Sequence, residues 1–155
     1  MAKLQSRNSF LMFIIVLAFS STFAGEPALV ITADDDSLQW GPCPDFMPAE
    51  CEIAVLHGDP AKPNVDILFR VPGDTALPNH WHTSAERMIL LSGELHVTYE
   101  GQEKSVIEAG SYAYGPAERP HDGFCAEGDP CVLFIAFEAP LDAFPIEVAA
   151  TDRTE

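Results

Sequence analysis

Apolar residues along this chain come in short runs that end at glycine or proline. The runs cover 53–57, 65–71, 88–91, 94–99, 105–107, 111–114 and 132–137. Between them stand Gly58-Asp59-Pro60, Pro72-Gly73-Asp74, Ser92-Gly93, Glu100-Gly101-Gln102, Gly115-Pro116 and Gly128-Asp129-Pro130. Side chains alternate across a strand, so Leu95, Val97 and Tyr99 share one face of 94–99, and Glu94, His96 and Thr98 the other. The run 132–137 is apolar on both faces, as a central strand would be. No segment after residue 24 has a long helical period with clean caps, and there is no internal repeat. Short strands with frequent turn signals predict an all-β sandwich or barrel, and 155 residues predict one domain.

The flanks follow other patterns. Residues 1–24 hold Lys3 and Arg7, then the apolar stretch Phe10 to Phe19, then Thr22-Phe23-Ala24. That order matches a secretory signal peptide, and the apolar stretch is short for a membrane span. Cleavage after Ala24 is expected, giving an exported, periplasmic or extracellular protein with no membrane partner. Residues 25–48 are acidic and aperiodic, an arm over the surface; 49–140 form the barrel; 141–155 form a polar tail that frays.

The chain carries 8 basic and 24 acidic residues, a balance of −16, and loss of the leader makes it more negative. Such a surface repels phosphate backbones and anionic lipid, which excludes nucleic acid as a partner class. The four cysteines allow three pairings. The short loops CPDFMPAEC and CAEGDPC favour Cys43–Cys51 and Cys125–Cys131, with the cross-pairings open.

The chemistry concentrates in HWHTSAERMILLSG, His80 to Gly93. On a strand His80 and His82 point the same way, and Trp81 points oppositely. Glu86 has the same parity and follows a bend at Thr83-Ser84. Two imidazoles and a carboxylate can share an ion, and His121 on a neighbouring strand could add a fourth ligand. Met88 and Leu90 would then line the interior. His57 beside a turn, and His96 beside Glu94 and Thr98, are expected in solvent.

These residues carry a family resemblance. Gly73-x6-His80-x-His82-x3-Glu86-x6-Gly93 resembles the first motif of the cupins, with one extra residue before the histidines. Gly110-x5-Pro116-x-Glu118-x2-His121 resembles the second motif. Glu118 stands where that motif has glycine, which suggests a different turn, and Cys125 stands where it has asparagine. The resemblance implies an antiparallel jelly-roll β-barrel (the double-stranded β-helix) over about 50–140. It also implies a divalent metal held by His80, His82, Glu86 and His121. Iron, manganese, nickel, zinc and copper all suit such ligands. Cupins often pair through their sheets, so a homodimer is possible.

Four protein ligands on an octahedral ion leave two positions for a small organic molecule or oxygen. The first functional reading is therefore a metal-dependent enzyme of dioxygenase type. The alternatives are an oxygen-independent isomerase or lyase, and a non-catalytic binding module like the small cupins fused to anti-sigma factors. A catalyst also needs a proton acceptor near those positions, and Tyr112, which shares a face with Tyr114 on the run leading to His121, is a candidate catalytic residue. Glu118 could serve as base and Arg119 as anion clamp, or that turn is simply solvated. The chain has no nucleophile elbow, phosphate loop or dinucleotide fingerprint, and Asp34-Asp35-Asp36 lacks calcium-loop spacing.

Overall fold

The computed structural model describes residues 25–146; the leader expected over 1–24 lies outside the described residues. Residues 25–30 belong to a separate unit and are irregular. From Ile31 onward the described chain is all-β. Its strands are β1 (Trp40–Pro42), β2 (Glu52–His57), β3 (Val65–Val71), β4 (Thr75–Trp81), β5 (Glu86–Ser92) and β6 (Glu94–Tyr99). They continue with β7 (Ser105–Glu108), β8 (Tyr112–Gly115), β9 (His121–Cys125), β10 (Cys131–Phe137) and β11 (Phe144–Pro145). The first sheet has the order β1-β2-β3-β10-β5-β8 and the second β11-β4-β9-β6-β7, every pairing antiparallel.

The core lies between the sheets. Val65, Ile67, Phe69, Leu133, Ile135 and Phe137 enter from the first, and Leu77, Leu95, Val97 and Tyr99 from the second. As the alternation requires, Leu95, Val97 and Tyr99 are buried, while His96 and Thr98 on the opposite face are only half-buried. The doubly apolar run is β10, which pairs with β3 and β5 on its two sides. Its second apolar face meets a smaller cluster in which Leu38, Ala54 and Leu68 are buried and Phe134 packs against them. Residues of the expected arm complete that cluster: Ile31, Ala33 and Trp40 pack on it, and Arg70 lies 3.9 Å over the Trp40 ring. Burying this apolar surface anchors a segment that has no periodicity of its own.

Both favoured disulfides are formed. Cys43–Cys51 ties β1 to β2, and Cys125–Cys131 joins the facing ends of β9 and β10. Gly93 turns β5 into β6 at φ 80°, where a Cβ would meet the Pro130 carbonyl at 2.8 Å. Only glycine fits there, which accounts for the motif glycine. The turn before β9 differs from expectation. Glu118 has φ 59°, the left-handed conformation that glycine adopts most readily, so the replacement keeps a left-handed turn. The Glu118 N–H donates to the His82 carbonyl at 2.8 Å and ties the two motifs together.

The segment read as a fraying tail begins with order over 141–146, and its residues 147–155 lie outside the described residues. Leu141 packs on the core and its N–H donates to the Pro60 carbonyl at 2.9 Å. Phe144 then pairs with Trp81 and stacks on its ring at 4.6 Å. Among the described residues no helix is long and apolar enough to cross a membrane.

Candidate metal centre

A one-residue irregularity in β4 builds the site. Leu77 pairs with Gly123, but His80 pairs with His121, so β4 has one residue more than β9 over this stretch. The extra residue falls around Pro78, which has no N–H for the ladder. Strict alternation would send Leu77 inward and His80 outward. The shift turns both inward, and both are buried. His80 therefore sits directly across from His121, and His121 in turn pairs with Tyr99 on β6. Tyr99, His121 and His80 form one row across three neighbouring strands.

The facing sheet supplies a second row. Glu86 opens β5 and pairs with Phe137 on one side and Gly115 on the other. His82 comes from the link between β4 and β5. Ser84 fixes that link: its hydroxyl donates to the Ala85 carbonyl and accepts the N–H groups of Glu138 and Ala139.

The three imidazoles converge, with one ligand nitrogen from each within 4.8 Å of the others. Each Nδ1 faces a backbone carbonyl: Pro78 at 2.7 Å for His80, Asp142 at 2.5 Å for His82 and Arg119 at 3.1 Å for His121. A carbonyl only accepts, so each neutral ring carries its proton on Nδ1 and turns the Nε2 lone pair inward. The Glu86 carboxyl lies 3.4 Å from His82 Nε2 and 3.6 Å from His121 Nε2.

Burial sets the charge states. It lowers the pKa of His82 and of His121, and lowers that of His80 to about 3, with His121 and His82 adding to the effect on His80. It raises Glu86 to about 7, against a smaller opposing pull from His121. The contacts of Glu86 are thus with neutral imidazoles and are not ion pairs. Three neutral imidazole nitrogens and a buried carboxyl without a cationic partner are the donor set a divalent transition metal takes. The carbonyl on each Nδ1 is the outer support that metal-binding histidines usually carry. The residues present fit such an ion.

Around this cluster lies a cavity of about 460 Å³. Met88, Ile67, Phe69, Leu133 and Ile135 line it, with Pro42, Cys43 and Met47 on the side of the first disulfide. No lysine or arginine does so among the described residues. Met88 and Leu90 are both buried as expected, and Met88 lines the cavity. His57 is exposed, and His96 is half-buried with Nε2 2.7 Å from Glu94.

Tyr112, Glu118 and Arg119 are not brought to this cavity. The parity that buries Gly115 and packs Ala113 on the core turns Tyr112 and Tyr114 outward, where both are exposed. Arg119 contributes its carbonyl to His121, and Glu118 is exposed on the turn. Two residues at the centre have no motif signal. Tyr99 was legible as a core-facing residue, but its seat beside His121, with ring centroids 4.9 Å apart, depends on the β6–β9 register. Burial and the nearby Glu86 raise the pKa of its hydroxyl, so it stays a neutral donor. Asp142 accepts from His82 through its carbonyl and from the Thr83 N–H through Oδ1, at 60 and 59 residues' separation.

Among curated proteins, none matches the chain in sequence. Solved structures do resemble it. The polyketide cyclase RemF from Streptomyces resistomycificus superposes with a TM-score of 0.63 at 16% identity, covering 79% of this chain and 89% of the cyclase. The DMSP lyase DddQ from Ruegeria pomeroyi gives 0.61 at 17% identity, over 74% of this chain and 62% of the lyase. The chain thus spans less than two thirds of the lyase's length. The oxalate decarboxylase of Bacillus subtilis, described with Mn(II) centres, gives 0.54 at 18% identity over 63% of this chain and 28% of that one. At such identities the likeness is one of fold. The model of the ChrR cupin-like domain matches residues 29–140, and the chain belongs to that cupin family.

Proposed function

We propose that this chain is a metal-dependent enzyme, dioxygenase-like, acting on a small organic molecule. His80, His82, Glu86 and His121 would hold the metal. The observation that supports this most directly is the convergence of three Nε2 atoms whose Nδ1 partners are all backbone carbonyls. When bound, a divalent metal in such a set supplies a Lewis acid with coordination positions left for a substrate or oxygen. The protein's own part is to orient the imidazoles, to keep bulk water from the buried cluster and to seat the substrate's apolar portion between the sheets. Two disulfides support an exported setting, as the leader over 1–24 suggests.

A second reading is an oxygen-independent lyase or isomerase. It is favoured by the neighbours, which include a lyase, a cyclase and a decarboxylase. Metal analysis of natively expressed protein comes first, with about one divalent ion per chain expected and His121→Ala expected to lose it. Oxygen uptake by iron-loaded protein across diketones, flavonols, thiols and phenolic acids then divides the two readings. Turnover without oxygen uptake would replace the dioxygenase with the lyase. A bound ion with no turnover on that panel, with or without oxygen, would leave a binding module.

A further inference from the structure

Among the described residues the Tyr99 hydroxyl has no hydrogen-bond partner. The residue is 93% buried, since 7% of it is exposed, and among the described residues no protein group accepts or donates a hydrogen bond at its oxygen. A buried hydroxyl left this way costs about 1–3 kcal/mol, and native folds keep few such groups. Its surroundings show where it aims. The ring lies against His121 in the row that continues to His80. A Cβ on Gly115 would stand 2.6 Å from the Tyr99 hydroxyl and 2.9 Å from Glu86 Oε2. The two oxygens therefore share space that only a glycine at position 115 leaves open, at the polar end of the cavity.

The rest of the cavity limits what can enter. Its lining beyond the cluster is mainly aliphatic and aromatic, drawn from both sheets. The charged residues that reach it are Glu86, Asp122 and Asp142, all acidic. An anionic group away from the histidines would find no counter-charge, and burying an unpaired charge costs far more than burying a methylene is worth. A neutral phenol donates strongly and accepts weakly, so an acceptor oxygen is the partner that meets its need best.

We propose that Tyr99 donates a hydrogen bond to an oxygen of the bound ligand, and that this ligand is a neutral molecule with one oxygen-bearing head on an apolar body. The placement of the head beside the histidines rests on the metal reading above. Tyr99 thereby acts as a specificity-determining residue: it selects an acceptor oxygen at the head, while the aliphatic lining selects against charge in the body. Its unmet hydrogen bond is completed by the ligand and not by the fold.

Hydroxamates with different tails test this on the zinc-loaded full chain by calorimetry. Octanohydroxamate should bind at least about 30-fold more tightly than acetohydroxamate, through burial of its extra methylenes. The monohydroxamate of suberic acid, with a carboxylate at the far end, should lose most of that gain. Tyr99→Phe should weaken octanohydroxamate about tenfold at unchanged zinc affinity. The metal-free variant should melt no lower than the parent, because there is no protein hydrogen bond to lose; a structural role for the hydroxyl would lower it. Equal binding of the apolar and carboxylate tails, or equal binding by Tyr99→Phe, overturns the inference and leaves the metal reading intact. Failure of the parent to bind zinc overturns both.

Discussion

The two ends of one cavity are built on opposite rules. At the apolar end, Ile67, Leu133 and Ile135 need only be buried and well packed, and simple alternation along β3 and β10 delivers them. At the polar end, His80, His82, Glu86, His121 and Tyr99 come from four strands and a link, and each depends on register or on a distant backbone carbonyl. One end is set by hydrophobicity, which tolerates exchange. The other is set by geometry, which does not. Changes at the polar end should therefore act on metal more than on folding, and changes at the apolar end on folding more than on metal.

The largest expected effect lies at the polar end. His82→Ala should reduce zinc affinity by at least about 100-fold, measured by competition with a chromophoric chelator, while the metal-free protein stays folded by circular dichroism. At the apolar end, Ile67→Ala should cost about 2–4 kcal/mol in urea denaturation and keep about one zinc per chain. Loss of zinc at native stability in Ile67→Ala would blur the contrast.

Glu86 sharpens it through pH. In the metal-free fold its pKa is about 7 against an ordinary 4.5, so between those values the folded chain holds more proton than the unfolded one. That contribution to stability is complete below about pH 4.5 and is lost as pH rises through about 7. Glu86→Gln mimics the protonated form. It should leave metal-free stability near that of the parent at about pH 5 and raise it by on the order of 2 kcal/mol at about pH 8, while weakening zinc. Equal stability at both pH values would show that the carboxyl is not strained by burial. The smallest effect is at the exposed turn before β9. Glu118→Gly relieves a left-handed non-glycine residue and should stabilise by about 0.5–1 kcal/mol in the same denaturation assay, with zinc affinity unchanged.

What could be read in advance follows the same division. Alternation placed Leu95, Val97 and Tyr99 inward and marked β10 as central, because a half-buried strand writes its environment into its residues. The motif spacing singled out the histidines and Glu86 that the fold brings together. Tyr112 was misplaced because the sequence alone does not say which face of a short edge strand is inside; the pairing of Gly115 with Glu86 decides it. Parity puts His80 and His82 on one face, and the structure brings both inward through the shift at Pro78, with His82 already past the strand. Asp142 was not legible, since it stands 60 residues from His82 in the chain and is brought near it beside the β11–β4 pairing.

That last contact has a bearing on where this module ends. The family match stops at residue 140, and all four candidate ligands fall inside it. The carbonyl that holds His82 with its Nε2 lone pair turned inward falls two residues beyond. A fragment trimmed to the matched span would keep every donor atom and lose the orientation of one of them. Counting ligands is thus a poor guide to the bounds of the site, whose hydrogen-bonded support reaches Asp142.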